Sequence, residues 1–74
     1  MIIFSPHSIL KLGQRNLKKD LVIETLAKPD LTKSSYSNRK IAFKKFGKLY
    51  LKVVFRREHK DTVVITQHWT DKLK

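Results

Sequence analysis

The sequence predicts an α+β domain in which two N-terminal helices pack on a twisted antiparallel sheet of three or four strands. Apolar residues recur at helical spacing over roughly the first 28 residues, and Pro29 ends that pattern. From residue 40 onward, apolar and polar residues alternate, as in a strand that is buried on one side only. A chain of 74 residues has room for one such core, so we expect a single domain over residues 1–74.

The first helix is marked by a capping residue and a proline. Ser5 can cap the helix and Pro6 suits its first position, so we expect it to run to about Gln14 or Arg15. A second apolar stripe begins at Leu17 and ends before Pro29, which predicts an αα-hairpin. In the first helix a basic face and an apolar face are expected. The basic face comprises His7, Lys11 and Arg15, and the apolar face comprises Ile9, Leu10, Leu12 and Gly13.

Three strands are predicted at 40–46, 49–57 and 62–69. Gly47-Lys48 suits a tight hairpin, and the polar residues 58–61 suit a longer turn. The segment 31–38 is either a loop or a first strand around Tyr36. Alternation assigns the strand residues to two faces. The core face would hold Leu49, Leu51, Val53, Phe55, Val63, Ile65 and Trp69, and the opposite face Tyr50, Lys52, Val54, Arg56, Val64, Thr66 and His68.

The net charge of +11 is concentrated in the middle of the chain. Residues 33–60 contain ten Lys or Arg and a single acid, Glu58. A cationic sheet face of this kind favours a polyanionic partner, which in cells means nucleic acid, an anionic lipid surface or an acidic protein. The alternative is that the lysines serve solubility only.

Several kinds of chemistry are disfavoured by composition. The chain has no cysteine, and cations surround its three histidines, so we expect no disulfide and no metal site. Only two glycines are present and none forms a phosphate-binding loop, so we expect no cofactor. The apolar start Met1–Phe4 is too short for a signal peptide and no membrane span is visible, which predicts a cytoplasmic protein without membrane contact. Stability would come from packing or from self-association, which leaves a homodimer open.

Lys52, Arg56, Thr66 and His68 have the chemistry needed to bind a phosphate and move a proton. Cleavage of RNA without a metal needs a base for the 2′-OH, a cation for the phosphorane and an acid for the leaving oxygen. His68 can titrate near neutral pH, and Arg56 can bind two phosphate oxygens. The alternative is that all four are ordinary surface residues.

Two further groups of residues are candidates for contact with RNA. The basic helix face that begins at His7 is regularly spaced, although such faces usually just meet solvent. The side chains of Tyr36, Phe46 and Tyr50 could stack on bases, or they could serve only packing. His59 is expected to be a turn residue.

Several short motifs also resemble a known family. They are Ser5-Pro6-His7, Lys11, Arg15-Asn16-Leu17, a helix closing on residues 26–30, and the strand Val63–Thr66. Together they resemble a family of small prokaryotic domains related to RelE/ParE-like and BrnT-like toxins, within the assembly of ribonuclease folds that includes barnase and the tRNase colicins.

The resemblance implies an α+β ribonuclease fold and a ribonuclease activity that an antitoxin inhibits. His7 and Arg15 match residues that recur in the family, whereas Asn16 stands where the family usually has glycine. Lys52, Arg56 and Tyr50 match in type the residues that RelE-like toxins favour on the sheet face. Members of this assembly include proteins that have lost catalysis or act on a protein target.

The function predicted from the sequence is therefore that of a small RNA-binding protein acting as a metal-independent, toxin-type endoribonuclease. The alternative is a non-catalytic nucleic-acid-binding or protein-interaction module with the same fold. An acidic antitoxin segment would be the protein partner. The predicted catalytic residues are His7, Lys52, Arg56 and His68, and the predicted RNA-binding residues are Lys11, Arg15, Arg39, Lys44, Tyr50 and Thr66.

Overall fold

A computed structural model describes residues 1–73 and has the predicted α+β architecture with two helices. The sheet of the described chain has five strands instead of three or four, and its first strand precedes the helices. The elements are β1 (Ile2–Phe4), α1 (Pro6–Gln14), α2 (Lys19–Ala27), β2 (Leu31–Ser34), β3 (Arg39–Phe46), β4 (Leu49–Glu58) and β5 (Asp61–Thr70).

The sheet is mixed rather than purely antiparallel. Its strand order is β1-β5-β4-β3-β2, and β1 pairs in parallel with β5 while the other neighbours are antiparallel. The sequence did not reveal β1, because a strand of three residues is too short to show alternation. β1 pairs with Thr62–Val64 of β5, and no other described strand lies beside the rest of that edge.

Helix α1 has the predicted bounds, and both of its ends are capped. The Ser5 hydroxyl accepts a hydrogen bond from the Ser8 amide at 3.1 Å and donates one to the Ile65 carbonyl at 3.1 Å. At the other end Asn16 has a φ of +50°, and the Leu17 amide donates to the Leu12 carbonyl at 2.9 Å. This is a Schellman motif with asparagine in the position that glycine usually takes.

The buried face of α1 differs from the predicted one. Ser8 and Leu12 are buried, whereas Ile9 and Leu10 are 50% and 57% exposed. The Ser8 hydroxyl lies 2.5 Å from Oε1 of Gln67 on β5, and Gln67 Nε2 donates to the Ser8 carbonyl at 3.0 Å. These two hydrogen bonds turn the Ser8 side of α1 toward the sheet, which leaves Ile9 and Leu10 facing outward.

The core lies between the helices and the adjoining face of the sheet. Helix α2 contributes Val22, and its buried Thr25 donates to the Leu21 carbonyl at 2.8 Å. The buried core cluster comprises Leu12, Leu17, Val22, Leu51, Val53 and Val64.

A β-bulge in β5 changes the predicted faces of that strand. Val54 pairs with Thr66 and Phe55 with Val64, so Ile65 is an extra residue. Val64 therefore faces the helices, while Val63 and Ile65 do not belong to the core cluster, contrary to the prediction. On β4 the prediction is confirmed for the buried residues Leu51, Val53 and Phe55, but not for Leu49, which is 41% exposed at the start of the strand.

All three hairpins have short turns. The tight turn at Gly47 is confirmed, and its φ of +69° is the conformation that favours glycine. The turn before β5 is shorter than predicted, because pairing continues to Glu58 and Asp61 and leaves only His59 and Lys60 unpaired. In the segment 31–38 the strand is β2, and the 87% exposed Tyr36 lies beyond it in the turn.

Candidate nucleic-acid interface

Within residues 1–73, one face of the sheet has no helix packed on it, and we call it the open face. The strand register places five cations on it, contributed by β2, β3 and β4. Among the described strand residues, the acids on the open face are Glu58 and Asp61 beside the last turn, where Glu58 forms an ion pair of 3.0 Å with Arg56. On the described strands, the rest of this face therefore carries cations and no acid. The five cations are Lys33, Arg39, Lys45, Lys52 and Arg56.

Phe43 is fully buried although it lies on the open face. The ammonium groups of Lys33 and Lys52 lie 5.8 and 6.0 Å from the centre of its ring. Such cation–π contacts restrict where a lysine ammonium can lie. Phe43 therefore holds two cations near the middle of the open face.

Lys52 and His68 are directly opposite each other on β4 and β5, as the sequence had them share a face. His68 is half-buried, and its pKa is lowered, first by burial and then by the nearby charges of Lys52 and Arg15. Thr66 and Tyr50 also lie on the open face. Thr66 is two residues from His68 on β5, and Tyr50 is two residues from Lys52 on β4. The lowered pKa favours neutral imidazole, the form that can accept a proton.

Arg15 reaches the same region from the end of α1. Its guanidinium donates to the Gln67 carbonyl at 2.5 Å, on the part of the β5 edge that β1 does not cover. The charge of Arg15 lowers the pKa of His68, so the sheet edge brings the two side chains together. The sequence had placed Arg15 on the basic helix face and not beside His68.

His7 and Lys11 are not brought to the open face. Both belong to α1, which packs on the other side of the sheet, and His7 is exposed in the first turn of that helix. The structure therefore separates His7 from Lys52, Arg56 and His68, the three residues with which it was grouped as catalytic.

Lys44 is on the helix side of the sheet, opposite Leu51. Its ammonium donates to the Lys28 carbonyl at the end of α2, at 3.2 Å, where a cation stabilises the helix. The structure therefore gives Lys44 a helix-capping contact and puts its neighbour Lys45 on the open face, opposite Tyr50. Because the two lysines are adjacent, the sequence does not show which of them lies on the open face. The pairing of β3 with β4 across the Gly47 turn assigns Lys45 to that face.

Lys33 was also missed, because the sequence left its segment between loop and strand. It lies on β2, and its ammonium donates to the Leu73 carbonyl. The segment after β5 therefore extends toward the cation pair over Phe43. Phe46, which was considered for base stacking, packs instead edge-on against Trp69 with ring centres 5.9 Å apart.

Among residues 1–73, no three His, Cys, Asp or Glu side chains lie together in a way that could hold a metal ion. In the same part of the chain, neither helix is long and apolar enough to cross a membrane.

Comparison of the chain with protein-family models, with curated proteins and with solved structures gives no match.

The pKa of His68 gives a testable prediction. We expect an NMR titration to show it below the ordinary value of about 6.5. Replacing Lys52 with Gln should raise this pKa, because one repelling charge is removed. In the parent protein, His68 binds a proton more readily in the unfolded chain than in the folded one. The free energy of unfolding should therefore fall as the pH drops from 6.5 through the pKa of the folded state. The His68→Asn variant should lose this part of the pH dependence; an unchanged dependence would contradict the prediction.

Proposed function

We propose that this protein binds RNA on the open face and cleaves it as a metal-independent endoribonuclease of toxin type. The observation that carries the proposal is the pairing of half-buried His68 with Lys52 on a sheet face where, among residues 1–73, cations outnumber acids. A neutral imidazole beside a fixed cation offers both a proton acceptor and a partner for phosphate negative charge.

In the proposed reaction His68 accepts the proton of a ribose 2′-OH. The 2′-oxygen then forms a bond to phosphorus, and the bond from phosphorus to the 5′-oxygen breaks. Lys52, which lies opposite His68 in the strand register, stabilises the added negative charge of the phosphorane and donates the proton that the departing 5′-oxygen takes up. Arg15 adds a second positive charge beside His68. The products are a 2′,3′-cyclic phosphate and a free 5′-OH.

We assign Arg56 a different part in binding. It lies four residues from Lys52 along β4, about 13 Å at the strand rise of 3.3 Å per residue. It is also directly opposite Arg39, and like charges in this position cost stability, a cost that the Glu58 carboxylate 3.0 Å from Arg56 offsets in part and that a bound anion would offset further. We therefore propose that Arg39 and Arg56 bind a neighbouring phosphate of the RNA, while Tyr50 and Thr66 contact the strand.

The test is cleavage of a mixed-sequence RNA by purified protein in excess EDTA. We expect EDTA-resistant cleavage with products that carry 2′,3′-cyclic phosphate and 5′-OH ends. The same RNA with 2′-O-methyl groups should stay intact, because the attacking oxygen is blocked. RNA that survives unmodified, or products with 5′-phosphate ends, would contradict the proposed reaction.

The second candidate function is non-catalytic binding of nucleic acid by the same face. It is favoured by the Arg39–Arg56 pair, which suits phosphate binding and has no role in proton transfer. It predicts similar affinity for DNA and RNA of one sequence and no cleavage of either. An acidic antitoxin segment that covers the open face would compete with nucleic acid in both cases.

A further inference from the structure

A second cationic site lies where the end of β2, the start of β3 and the end of β4 come together. It is a shallow surface pocket of about 340 Å³. Three of its lining residues are cations, two carry hydroxyls, one carries an amide, and none is acidic. The lining residues are Ser34, Ser35, Asn38, Arg39, Lys40 and Arg57.

This pocket is separate from the pairing of Lys52 and His68. Lys40 is in register with Phe55, whose side chain faces the helix side of the sheet, and Arg57 lies two residues further along the same strand. Arg39 links the two regions, because it pairs with Arg56 on the open face and also lines the pocket. A strand bound on the open face could therefore continue around the sheet end into the pocket.

Arg57 is already fixed in place. Its guanidinium carbon lies 5.9 Å from the centre of the Phe55 ring, and its NH1 donates to the Thr62 hydroxyl at 3.4 Å. These contacts use one face and one donor of the guanidinium, which leaves further N–H groups for a ligand. An arginine held in this way loses little conformational freedom when it binds an anion.

The hairpin turn gives the pocket a defined wall. Ser37 and Asn38 both have a φ of 60°, and the Arg39 amide donates to the Tyr36 carbonyl at 3.2 Å. The Ser35 amide donates to the Arg39 carbonyl at 2.8 Å. The backbone that carries Ser35, Asn38 and Arg39 is therefore hydrogen-bonded and tightly turned.

In the part of the chain that the structure describes, no acid forms an ion pair with the cations that line the pocket. Among the described residues the side chains of Arg39 and Lys40 make no hydrogen bond or ion pair, and the closest acid in sequence, Glu58, is paired with Arg56. Arginine guanidinium groups, lysine ammonium groups and serine hydroxyls commonly bind phosphate oxygens in proteins. The volume is about ten times that of one liquid water molecule, enough for a phosphate with some of its hydration.

We propose that this pocket binds a phosphate group, with Arg57 and Lys40 as its main ligands. On the further basis of the proposed function, that phosphate belongs to the same RNA strand that lies on the open face. The pocket would then hold a phosphate beyond the one that Arg39 and Arg56 bind, and it would add to affinity without taking part in cleavage.

The test is a ¹⁵N NMR titration with inorganic phosphate at constant ionic strength. We expect saturable shifts at the amides of Ser35, Asn38 and Arg39 and at the Arg57 Nε–H. Arg57→Gln should weaken phosphate binding about tenfold or more, since it removes a charge-assisted hydrogen bond. Lys40→Gln should weaken it as well, without touching the Phe55 and Thr62 contacts. Lys48→Gln, in the exposed turn at the other end of β3, is the matched control and should bind as the parent does.

A parallel measurement with single-stranded RNA separates this inference from the proposed function. Arg57→Gln should lower the slope of log affinity against log salt by about 0.7, the value for one phosphate on a single strand. If phosphate causes no NMR shifts, or shifts only residues of the open face, the proposed phosphate site is wrong even if RNA is bound and cleaved. Phosphate binding in the pocket of a protein that neither binds nor cleaves RNA would leave the pocket in place and overturn the proposed function.

Discussion

Replacing His68 with Ala is expected to lower the rate of RNA cleavage by about 10²–10⁴-fold, the usual contribution of a positioned general base. The physical reason is that His68 is the imidazole that the strand register places opposite Lys52, and its lowered pKa keeps it neutral at pH 7. The measurement is single-turnover cleavage of a labelled RNA at saturating protein. RNA affinity should change little, because the neutral ring carries none of the charge that binds phosphate.

His59→Asn is the matched control for this substitution. It also removes an imidazole, but from an exposed turn, and asparagine tolerates the φ of +56° at that position. Cleavage by this variant should equal that of the parent protein.

The sequence alone left His7 and His68 as alternative proton-transfer groups, and a His7→Ala variant distinguishes them. Because α1 lies on the other side of the sheet, we expect the His7 variant to cleave at close to the parent rate. A large loss in His7→Ala with none in His68→Ala would show that the open face is not the site of reaction.

The same His68 variant separates catalysis from binding. If parent and His68→Ala proteins both bind RNA with a steep salt dependence and neither cleaves it, the non-catalytic module is the better description. Parent activity that the variant retains in full would instead mean that another group takes the 2′-OH proton. Each result therefore selects a different function for the same cationic face.

The largest expected effect on stability comes from the buried contact between Ser8 and Gln67. Both residues are almost fully buried, and two hydrogen bonds join them across α1 and β5. Ser8→Ala should reduce the free energy of unfolding by about 1–3 kcal/mol, because the Gln67 oxygen would be left without its donor inside the protein. That is a large fraction of the stability of a domain this small. Urea denaturation followed by circular dichroism gives the value.

A double variant shows whether the loss comes from the unpaired polar group. Combining Ser8→Ala with Gln67→Leu removes both partners, so the double variant should be less destabilised than the two single changes added together. If the change in the free energy of unfolding of the double variant equals the sum of the two single changes, the hydrogen bonds between Ser8 and Gln67 contribute no coupling energy, which would contradict the prediction. Thr32→Ala, on an exposed position of β2, is a control that should change stability by less than about 0.5 kcal/mol.

Residue alternation and end signals predicted most of the local structure. Ser5 and Pro6 marked the start of α1, Pro29 followed the end of α2, and β3, β4 and β5 began and ended within one residue of the predicted limits. The sequence also placed Lys52, Thr66 and His68 on the same face of the sheet, because a strand's side chains alternate whatever packs on it.

Other features depended on contacts between residues far apart in the chain. Strand β1 is too short to carry a pattern, and its place became visible only through its parallel pairing with β5. The bulge at Ile65 reversed the predicted sides of Val63 and Val64, since one extra residue shifts everything on one side of it by one position. No local pattern in the sequence marked that extra residue.

The candidate site was divided in the same way. The strand residues on the open face could be predicted from alternation, but the approach of Arg15 to His68 required the uncovered edge of β5. The capping contact of Lys44 required the end of α2, and the separation of His7 from His68 required knowing which side of the sheet α1 covers. The sequence by itself determined which residue types share a strand face, because that follows from the two-residue period of the backbone. Only the tertiary structure decided which of those residues meet, because packing between elements distant in the chain leaves no local pattern.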